Sequence, residues 1–450
     1  MSQQKPSMLN EEDLINFDVY FPPFKYWSKN NLPDPEIIND LTSKEKIDTG
    51  NIYIHFPFCP VHCKICPYFK FPNELLPDVA NLMLKEIELY AKLTKKNTKI
   101  RSILIGGGTP NFIPLKIFEK MIVSLKKNFK LDDLQQFAIE LRPEIKYEKH
   151  VEILLKYFDP KILHVSLGLQ SSHQEKIKFW RKPVERNGLY YSKEDVENMI
   201  YFLHKNKIKD INVDFMVENA NAFFEERKYI KHLIETFKIN KISIYTVYSR
   251  FMGREYLKNA SDWNFKEIIK LRKEEQKFFK IFNFVPLIWP MYFVKKGYKV
   301  NMESLTQFEG VTLFAIGPSA RGVIRSNNIF LMYENTKNYK EYKDKILKNK
   351  LPNSILYKYP QNVSEETSDA LRGMFINYKK GFSENTIKEI TELAKFDSQE
   401  KNLEKIIKNY FIKKGTKFYL NVKGLYFIDA VYWAIWKTIQ NGFENKDKSK

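Results

Sequence analysis

The sequence predicts an α/β fold built on a parallel sheet, with an N-terminal segment before it and a smaller, mainly helical C-terminal domain after it. Six short runs rich in β-branched or aromatic residues alternate with longer amphipathic stretches, and after about residue 355 the patterns become helical. Strands that alternate with helices form parallel sheets, whose ligands bind at the carboxyl ends of the strands. Periodicity alone does not show whether the sheet is open or curls into a barrel. The predicted strands are residues 51–56, 101–105, 136–141, 162–168, 210–216 and 241–247.

Composition and residue spacing predict the structure of the remaining segments of the chain. Residues 1–48 are polar and proline-rich, which predicts an extended N-terminal segment. Residues 355–440 predict the helical C-terminal domain, and the Lys-rich residues 441–450 predict a disordered tail. Between the first two strands we expect a helix with Asp78 as its N-cap, because apolar residues recur there at helical spacing: Val79, Met83, Ile87 and Tyr90.

The charge and hydropathy patterns limit the class of protein. The net charge is +20, but the lysines are spread along the chain among Asp and Glu, which favours a solvated surface over a nucleic-acid partner. No run of 18 apolar residues is present, and the N-terminus lacks the pattern of a secretory signal. We therefore expect a cytoplasmic protein without a membrane span.

All three cysteines of the chain fall within eight residues, directly after the first predicted strand. Cys59, Cys63 and Cys66 have C-x3-C-x2-C spacing, so their thiolates can face a single point. A [4Fe-4S] cluster normally takes four cysteine ligands, and three would leave one iron open to a small molecule. The competing metal is zinc, with His62 or His55 as the fourth ligand. Structural zinc usually draws ligand pairs from separate segments, and the chain has no second cysteine pair.

Polar residues and glycines stand at the ends of the next four predicted strands. Gly106, Gly107 and Gly108, followed by Thr109 and Pro110, come directly after the second strand, where they let the backbone approach a ligand and offer unhindered N–H and C=O groups. Later strand ends carry side chains able to bind the hydroxyl and ammonium groups of a ligand: Glu140, Gln170 and Asp214.

These motifs resemble those of the radical S-adenosylmethionine (SAM) family of the oxygen-independent coproporphyrinogen III oxidase. The segment Tyr53-Ile-His55-Phe-Pro57-Phe58-Cys59 matches the Y-x-H-x-P-F-C strand of that family, and the GGGTP motif follows one β/α unit later. The resemblance covers about residues 48–330 and also extends to heme chaperones, anaerobic heme-degrading enzymes and SAM-dependent C-methyltransferases.

The resemblance implies a partial (β/α)6 barrel over residues 49–330, a [4Fe-4S] cluster on Cys59, Cys63 and Cys66, and bound SAM. It also implies an electron donor such as flavodoxin or ferredoxin. Phe308 and Glu309 resemble a stretch that helps bind a second SAM. The SAM carboxylate would meet Arg181, or Lys182 because the spacing is one residue short. The other SAM contacts implied by the family are Tyr53, Gly107, Gly108, Thr109, Glu140, Gln170 and Asp214.

The reaction is less well defined by the sequence. Phe215-Met-Val-Glu218 stands where the family commonly has Y-G-L-P after the fifth-strand aspartate, and the Gly-Cys-Asn-like stretch of the oxidases is absent after Cys66. We rank tetrapyrrole chemistry first, C-methylation of a heteroaromatic product second, and heme trafficking without turnover third. Cations able to pair with propionates are Arg142, Arg250, Lys295, Lys296 and Arg321.

The cysteine spacing makes a testable prediction. Anaerobically reconstituted protein should bind about four iron and four sulfide per chain. Replacement of Cys59, Cys63 or Cys66 by Ala should abolish the brown absorbance, because each removes one of three thiolates. Iron, sulfide and zinc analysis measures this, and one zinc without sulfide in the wild-type protein would contradict it.

Overall fold

The computed structural model describes most of the chain from residue 47 onward. Phe308, Glu309, Arg250 and nearly all of the predicted N-terminal segment fall outside the described residues, so the expectations placed on them stay predictions. The described ranges are 47–63, 66, 68–93, 98–144, 148–183, 191–246, 265–288, 291–298, 311–325, 330–358, 363–374, 378–396 and 398–445.

One large sheet forms the centre of the molecule, and a three-stranded and a two-stranded sheet accompany it. The large sheet has the order β14-β13-β12-β11-β1-β3-β4-β5-β7-β8-β10-β9, in which the strands from β11 to β8 are parallel. The strands are β1 (Thr49–Phe56), β2 (Val61–Cys63), β3 (Lys99–Gly107), β4 (Gln136–Leu141), β5 (Leu163–Gln170), β6 (Arg181–Pro183), β7 (Asp210–Val217), β8 (Lys241–Thr246), β9 (Phe284–Ile288), β10 (Tyr292–Lys295), β11 (Thr312–Ile316), β12 (Arg321–Arg325), β13 (Phe330–Asn335), β14 (Asn353–Lys358), β15 (Phe382–Ser383), β16 (Phe411–Lys414) and β17 (Lys417–Leu420).

Helices follow most of the parallel strands, and a second group of helices follows the sheet. None of the described helices is long and apolar enough to cross a membrane. The α-helices are α1 (Leu76–Leu93), α2 (Leu115–Asn128), α3 (Glu148–Tyr157), α4 (Gln174–Trp180), α5 (Lys193–Lys205), α6 (Ala220–Glu235), α7 (Phe265–Ile281), α8 (Tyr339–Leu347), α9 (Glu365–Arg372), α10 (Glu384–Lys395), α11 (Glu400–Tyr410), α12 (Val422–Tyr426) and α13 (Ile428–Asn445).

The predicted parallel α/β fold with C-terminal helices is confirmed, since all six predicted strands lie in the sheet. Several local expectations were wrong. Helix α1 begins at Leu76, so Asp78 lies in its first turn instead of capping it, and its carboxylate binds Lys343 at 3.0 Å. The sheet continues through β13 and β14, beyond residue 330. Helix α13 extends to Asn445, five residues into the range predicted as a tail.

Within the described residues the two edge strands of the sheet, β14 and β9, do not pair with each other, and the C-terminal region lies against both flanks of the sheet. At one flank, Arg325 at the end of β12 bonds Asp369 of α9 at 3.4 Å. At the other, the Tyr378 hydroxyl donates to the carbonyl of Pro286 in β9 at 3.3 Å, and Tyr426 bonds Gln276 of α7 at 3.4 Å. Because β9 and β12 are far apart in the strand order, these contacts tie together two distant parts of an open sheet.

A buried charged layer lies at the amino ends of the parallel strands. Lys241, the first residue of β8, is completely buried and pairs with Asp210, the first residue of β7. Asp210 also bonds His164 at 2.8 Å and accepts from Gln136 at 3.1 Å. Burial alone would raise the pKa of Asp210, but the charges and hydrogen bonds of His164 and Lys241 outweigh it and lower that pKa to about 2. The carboxylate is therefore ionised at neutral pH and neutralises Lys241.

Replacement of Asp210 by Asn should lower the free energy of unfolding by about 3–5 kcal/mol, because it leaves the Lys241 ammonium buried without its counter-charge. Urea unfolding measures the change. The matched control is Asp133→Asn, whose carboxylate pairs with Lys99 at 3.1 Å on the exposed surface and should contribute under about 1 kcal/mol. Equal effects of the two variants would rule out the layer as a major source of stability.

Candidate functional site

The sheet register brings the predicted side chains to one face. Residues in register on neighbouring parallel strands point the same way. Glu140 of β4 is in register with Ser166 of β5, and Ser166 with Asn212 of β7. One step nearer the carboxyl ends, Gly168 is in register with Asp214. Glu140 and Asp214 therefore lie on the same face of adjacent layers, at the carboxyl ends of their strands.

Glu140 lies in a cleft that solvent can enter but that protein encloses. Its carboxylate accepts from the Gly107 N–H at 2.9 Å. Desolvation and the negative charge of Asp214 raise the pKa of Glu140 to about 7, although the Gly107 bond opposes this. A Cβ on Gly106 would lie 2.7 Å from a Glu140 oxygen, so glycine leaves room for the carboxylate in this position.

The glycine turn holds the cysteine loop as well as Glu140. Gly108 N–H donates to the Phe56 carbonyl and Thr109 N–H to the Phe58 carbonyl, both at 2.8 Å. Gly107 has a φ of 99°, in the left-handed region that favours glycine. The expected free N–H groups at Gly107, Gly108 and Thr109 are therefore already used within the protein. A carbonyl oxygen has two lone pairs, so the carbonyls of this turn can still accept from an ammonium group.

A network of small polar side chains fixes Asp214. Its carboxylate accepts from Ser166 at 2.9 Å and from the Asn212 amide at 2.7 Å. Asn212 also donates to Ser243 at 2.9 Å. Burial raises the pKa of Asp214, and its bonds to Ser243, Ser166 and Asn212 oppose the shift. Our sequence analysis missed Ser166, Asn212 and Ser243, although their alternate positions on known strands place them on the face of Asp214.

Tyr245 near the end of β8 is a further inward-facing residue that the sequence analysis missed. It is in register with Met216, two residues beyond Asp214. Its side chain is 39% exposed, yet enclosure and then the charges of Asp214, Tyr68 and Glu140 raise its pKa well above the usual 10. The phenol is therefore protonated at neutral pH and can donate a hydrogen bond into the cleft. Strict alternation with the buried Ile242 and Ile244 is the signal that could have identified it.

Gln170 and Arg181 were both expected to contact SAM, and they lie at the end of β5 and in β6 respectively. Gln170 ends β5 with a φ of 75°, after a register shift that begins at Gly168. Arg181 lies in β6, which pairs antiparallel with β2 so that Arg181 stands opposite Cys63. The chain thus brings the backbone of the predicted carboxylate-binding residue to the cysteine loop, and only the backbone of Arg181 is described.

The three cysteines lie on one loop beside the glycine turn. The Cys59 thiol is buried and accepts from the Thr109 hydroxyl at 3.2 Å, while Cys63 and Cys66 are half-buried. Burial raises the pKa of Cys59 to about 11; Lys70 and Thr109 oppose this shift, and the charges of the other two cysteines add to it. The donor set fits a three-thiolate cluster. Among the described residues, no group of three His, Cys, Asp or Glu is placed to hold a single metal ion.

Tyr53 and His55 form a polar pair on β1, on the same face of the strand. The Tyr53 hydroxyl and His55 Nδ1 are 2.8 Å apart. Burial and then the positive charge of Arg321 lower the pKa of His55 to about 4, so the ring is neutral. The hydroxyl of Tyr53, an expected SAM contact, is thus bonded to His55, and His55 packs against the glycine turn at Gly107.

Of the cations suggested for propionate groups, Arg250 lies outside the described residues, and three of the others are paired or lie at another end of the sheet. Arg142 is 7% exposed and bonds both oxygens of Glu144 at 2.7 and 2.8 Å. Lys295 follows Val294, which pairs with Lys241 at the amino end of β8, on the side opposite the cleft. Arg321 is bonded to Glu334 at 3.2 Å. The sequence predicted only that these residues lie near strand ends. It did not show at which end of a strand each one lies or which residue it binds.

Comparison with known proteins gives consistent similarities. The sequence pattern of the Radical SAM superfamily matches residues 53–217. The heme chaperone HemW of Buchnera aphidicola subsp. Schizaphis graminum is 24% identical over 86% of this chain and 98% of its own length. The coproporphyrinogen-III oxidase-like protein HemZ of Bacillus subtilis is 21% identical over 44% of this chain and 39% of its own. Matches to HemW proteins of other bacteria span about half the length of those relatives.

Solved structures show the same fold. The coproporphyrinogen III oxidase HemN from Escherichia coli, described as a radical SAM enzyme, aligns with a TM-score of 0.68. The alignment covers 90% of this chain and 94% of that chain, at 14% sequence identity. At this identity the similarity concerns the fold, and the site residues must be judged by their own geometry.

The raised pKa of Glu140 predicts that SAM affinity will depend on pH. A carboxylate binds hydroxyl and ammonium donors better than a carboxyl does, so SAM binding to reconstituted protein should weaken as the pH falls through about 7. Glu140→Gln should bind more weakly at pH 8 and lose this pH dependence. Equilibrium dialysis measures both effects. The control Glu119→Gln, in α2, should behave as wild type, and an unchanged pH profile in Glu140→Gln would exclude Glu140.

Proposed function

We propose that this chain, which resembles the coproporphyrinogen oxidase-like group of the radical SAM superfamily in sequence and in fold, is a SAM-cleaving protein acting on a tetrapyrrole. Cys59, Cys63 and Cys66 would hold a [4Fe-4S] cluster. With SAM bound, such a cluster would pass one electron from an external reductant to SAM, which would break an S–C bond and give methionine and a 5′-deoxyadenosyl radical.

The observation that carries the proposal is the pair of carboxyl groups in the cleft beside the cysteine loop. In the described part of the chain neither Glu140 nor Asp214 forms a salt bridge, and the charge of Asp214 raises the pKa of Glu140. Two desolvated carboxyl groups close to one another favour a ligand that brings positive charge and hydrogen-bond donors. SAM carries a sulfonium, an ammonium group and two ribose hydroxyls, which match this requirement.

Residues of the chain would bind and enclose the ligand. Glu140 and Asp214 would accept from its hydroxyl and ammonium groups, and the carbonyls of the glycine turn would accept from the ammonium. The Gly108 and Thr109 hydrogen bonds to the strand before Cys59 keep the glycine turn and the cysteine loop in contact. A ligand bound by the glycine turn would therefore lie next to the cysteine loop.

The tetrapyrrole substrate is supported by the similarities rather than by a described pocket. HemW and HemZ are named for heme or coproporphyrinogen, and the fold resembles that of HemN. The Buchnera match covers 98% of a protein named a heme chaperone, which favours heme trafficking as the second candidate. The two candidates differ in turnover, so an experiment on SAM cleavage distinguishes them.

Reconstituted protein with dithionite and SAM should slowly release 5′-deoxyadenosine, and coproporphyrinogen III or heme should accelerate the release if a tetrapyrrole is the substrate. Chromatography of the nucleosides measures this rate. Cys63→Ala is the control and should release none. Carbon dioxide from coproporphyrinogen III would indicate decarboxylation, and S-adenosylhomocysteine formed in step with product would indicate methyl transfer instead.

Tight heme binding without acceleration of SAM cleavage would establish the trafficking candidate and contradict turnover on heme. Absence of 5′-deoxyadenosine from protein with a full cluster and bound SAM would contradict SAM cleavage itself. Acceleration by neither tetrapyrrole, without heme binding, would contradict the tetrapyrrole assignment.

A further inference from the structure

A chain of buried polar contacts runs around the outside of the candidate SAM site. It consists of Asn111, Arg142, Tyr191 and Glu226, which we call the brace. These side chains are all at most 7% exposed, although they come from four different segments of the sequence. The family motifs in the sequence did not include them, and only Arg142 had been considered, as a substrate-binding cation.

The first part of the brace joins the ends of β3 and β4. The Asn111 amide donates to the Arg142 carbonyl at 2.8 Å, and the Arg142 N–H donates back to the Asn111 amide oxygen at 3.1 Å. Asn111 lies three residues after Gly108, and Arg142 two residues after Glu140. The reciprocal pair therefore fixes the glycine turn relative to Glu140 from outside the cleft.

The second part joins β4 to β5. The Arg142 guanidinium, held by Glu144, lies over the Tyr191 ring with 5.4 Å to the ring centroid. The Tyr191 hydroxyl donates to the carbonyl of Gly168. Gly168 lies at the register shift before Gln170, and a Cβ at Gly168 would come within 2.9 Å of the Gln170 amide nitrogen. Tyr191 thus anchors the residue against which the Gln170 side chain packs.

The third part holds the chain just beyond Gln170. Glu226 of α6 accepts from the Ser171 hydroxyl and, at 2.9 Å, from the Ser172 N–H. Gln170 itself has a φ of 75°, a left-handed conformation that a residue with a Cβ adopts only when its surroundings impose it. Contacts on both sides of Gln170, from Tyr191 and from Glu226, supply that constraint.

We propose that Tyr191 and Glu226 are positioning residues that hold the Gln170 amide in its left-handed turn, ready to bind SAM. This inference rests on the proposed SAM site. Tyr191 and Glu226 place no group on the ligand, so their contacts act on affinity only through the geometry of Gln170. Removal of either contact should therefore have no effect once the Gln170 side chain is gone.

The test uses the full-length, cluster-reconstituted protein with SAM as the probe. Tyr191→Phe keeps the ring beneath Arg142 and removes the hydroxyl that bonds Gly168. Its SAM dissociation constant should rise about three- to tenfold, the range expected for one lost hydrogen bond. Iron content should stay as in wild type. Tyr378→Phe is the matched control, because it removes a phenol-to-carbonyl bond of the same kind at β9 and should leave SAM affinity unchanged.

A double-mutant cycle separates positioning from general stability. In a Gln170→Ala background, Tyr191→Phe should cause no further loss of SAM affinity, whereas a merely structural role would weaken both backgrounds equally. If Tyr191→Phe does not fold, Glu226→Gln serves as the second variant. We expect its effect on SAM affinity to depend on Gln170 in the same way.

Wild-type affinity in both Tyr191→Phe and Glu226→Gln would overturn the positioning role while leaving the SAM site intact. Equal losses with and without the Gln170 side chain would also overturn it. Failure of the wild-type protein to bind SAM would instead contradict the proposed function, so the two failures are distinguishable.

Discussion

The candidate site depends on a close approach of backbone to backbone that only glycine allows. A Cβ on Gly108 would lie 2.4 Å from the carbonyl oxygen of Phe58 and 2.5 Å from that of Phe56, and the next turn residue back, Gly107, donates its N–H to the Glu140 carboxylate. Through this contact three separate segments become one unit: the strand before Cys59, the glycine turn and the end of β4. Because the segments bond to each other directly, movement of the turn would displace both the cysteine loop and Glu140.

The carboxyl groups at the two ends of the parallel strands have pKa values that are shifted in opposite directions. At the amino ends, Asp210 is neutralised by Lys241 and His164, and its pKa falls to about 2. At the carboxyl ends, desolvation raises the pKa values of Glu140 and Asp214, and the charge of Asp214 adds to the shift of Glu140. A buried charge that loses its partner destabilises the fold, whereas carboxyl groups without a described cationic partner favour a positively charged ligand. The charged groups at the amino ends of the strands therefore serve the fold, whereas those at the carboxyl ends are suited to binding a ligand.

The open sheet explains the arrangement of the C-terminal region. Parallel strands bury apolar residues beneath their helices, but the sheet order shows no closure between β9 and β14 in the described part of the chain. Arg325 and Asp369 join the C-terminal helices to one flank, and Tyr378 and Tyr426 join them to the other. A single C-terminal region can therefore hold together the two flanks of an incomplete barrel without adding strands between them.

The sequence alone determined the strand pattern, the cysteine loop and most of the expected ligand-binding positions. These depend on local periodicity and short motifs, such as the run of Gly106, Gly107 and Gly108 after β3, which can be recognised without knowing distant neighbours. Only the tertiary structure decided the partners of those groups. It showed that the N–H groups of the glycine turn are already bonded and that Arg142 binds Glu144 and Tyr191 instead of facing a substrate. Asn212 and Glu226 were not predicted for the same reason. A hydrogen bond between residues tens of positions apart is created by strand register and helix packing, so it leaves no local pattern in the sequence.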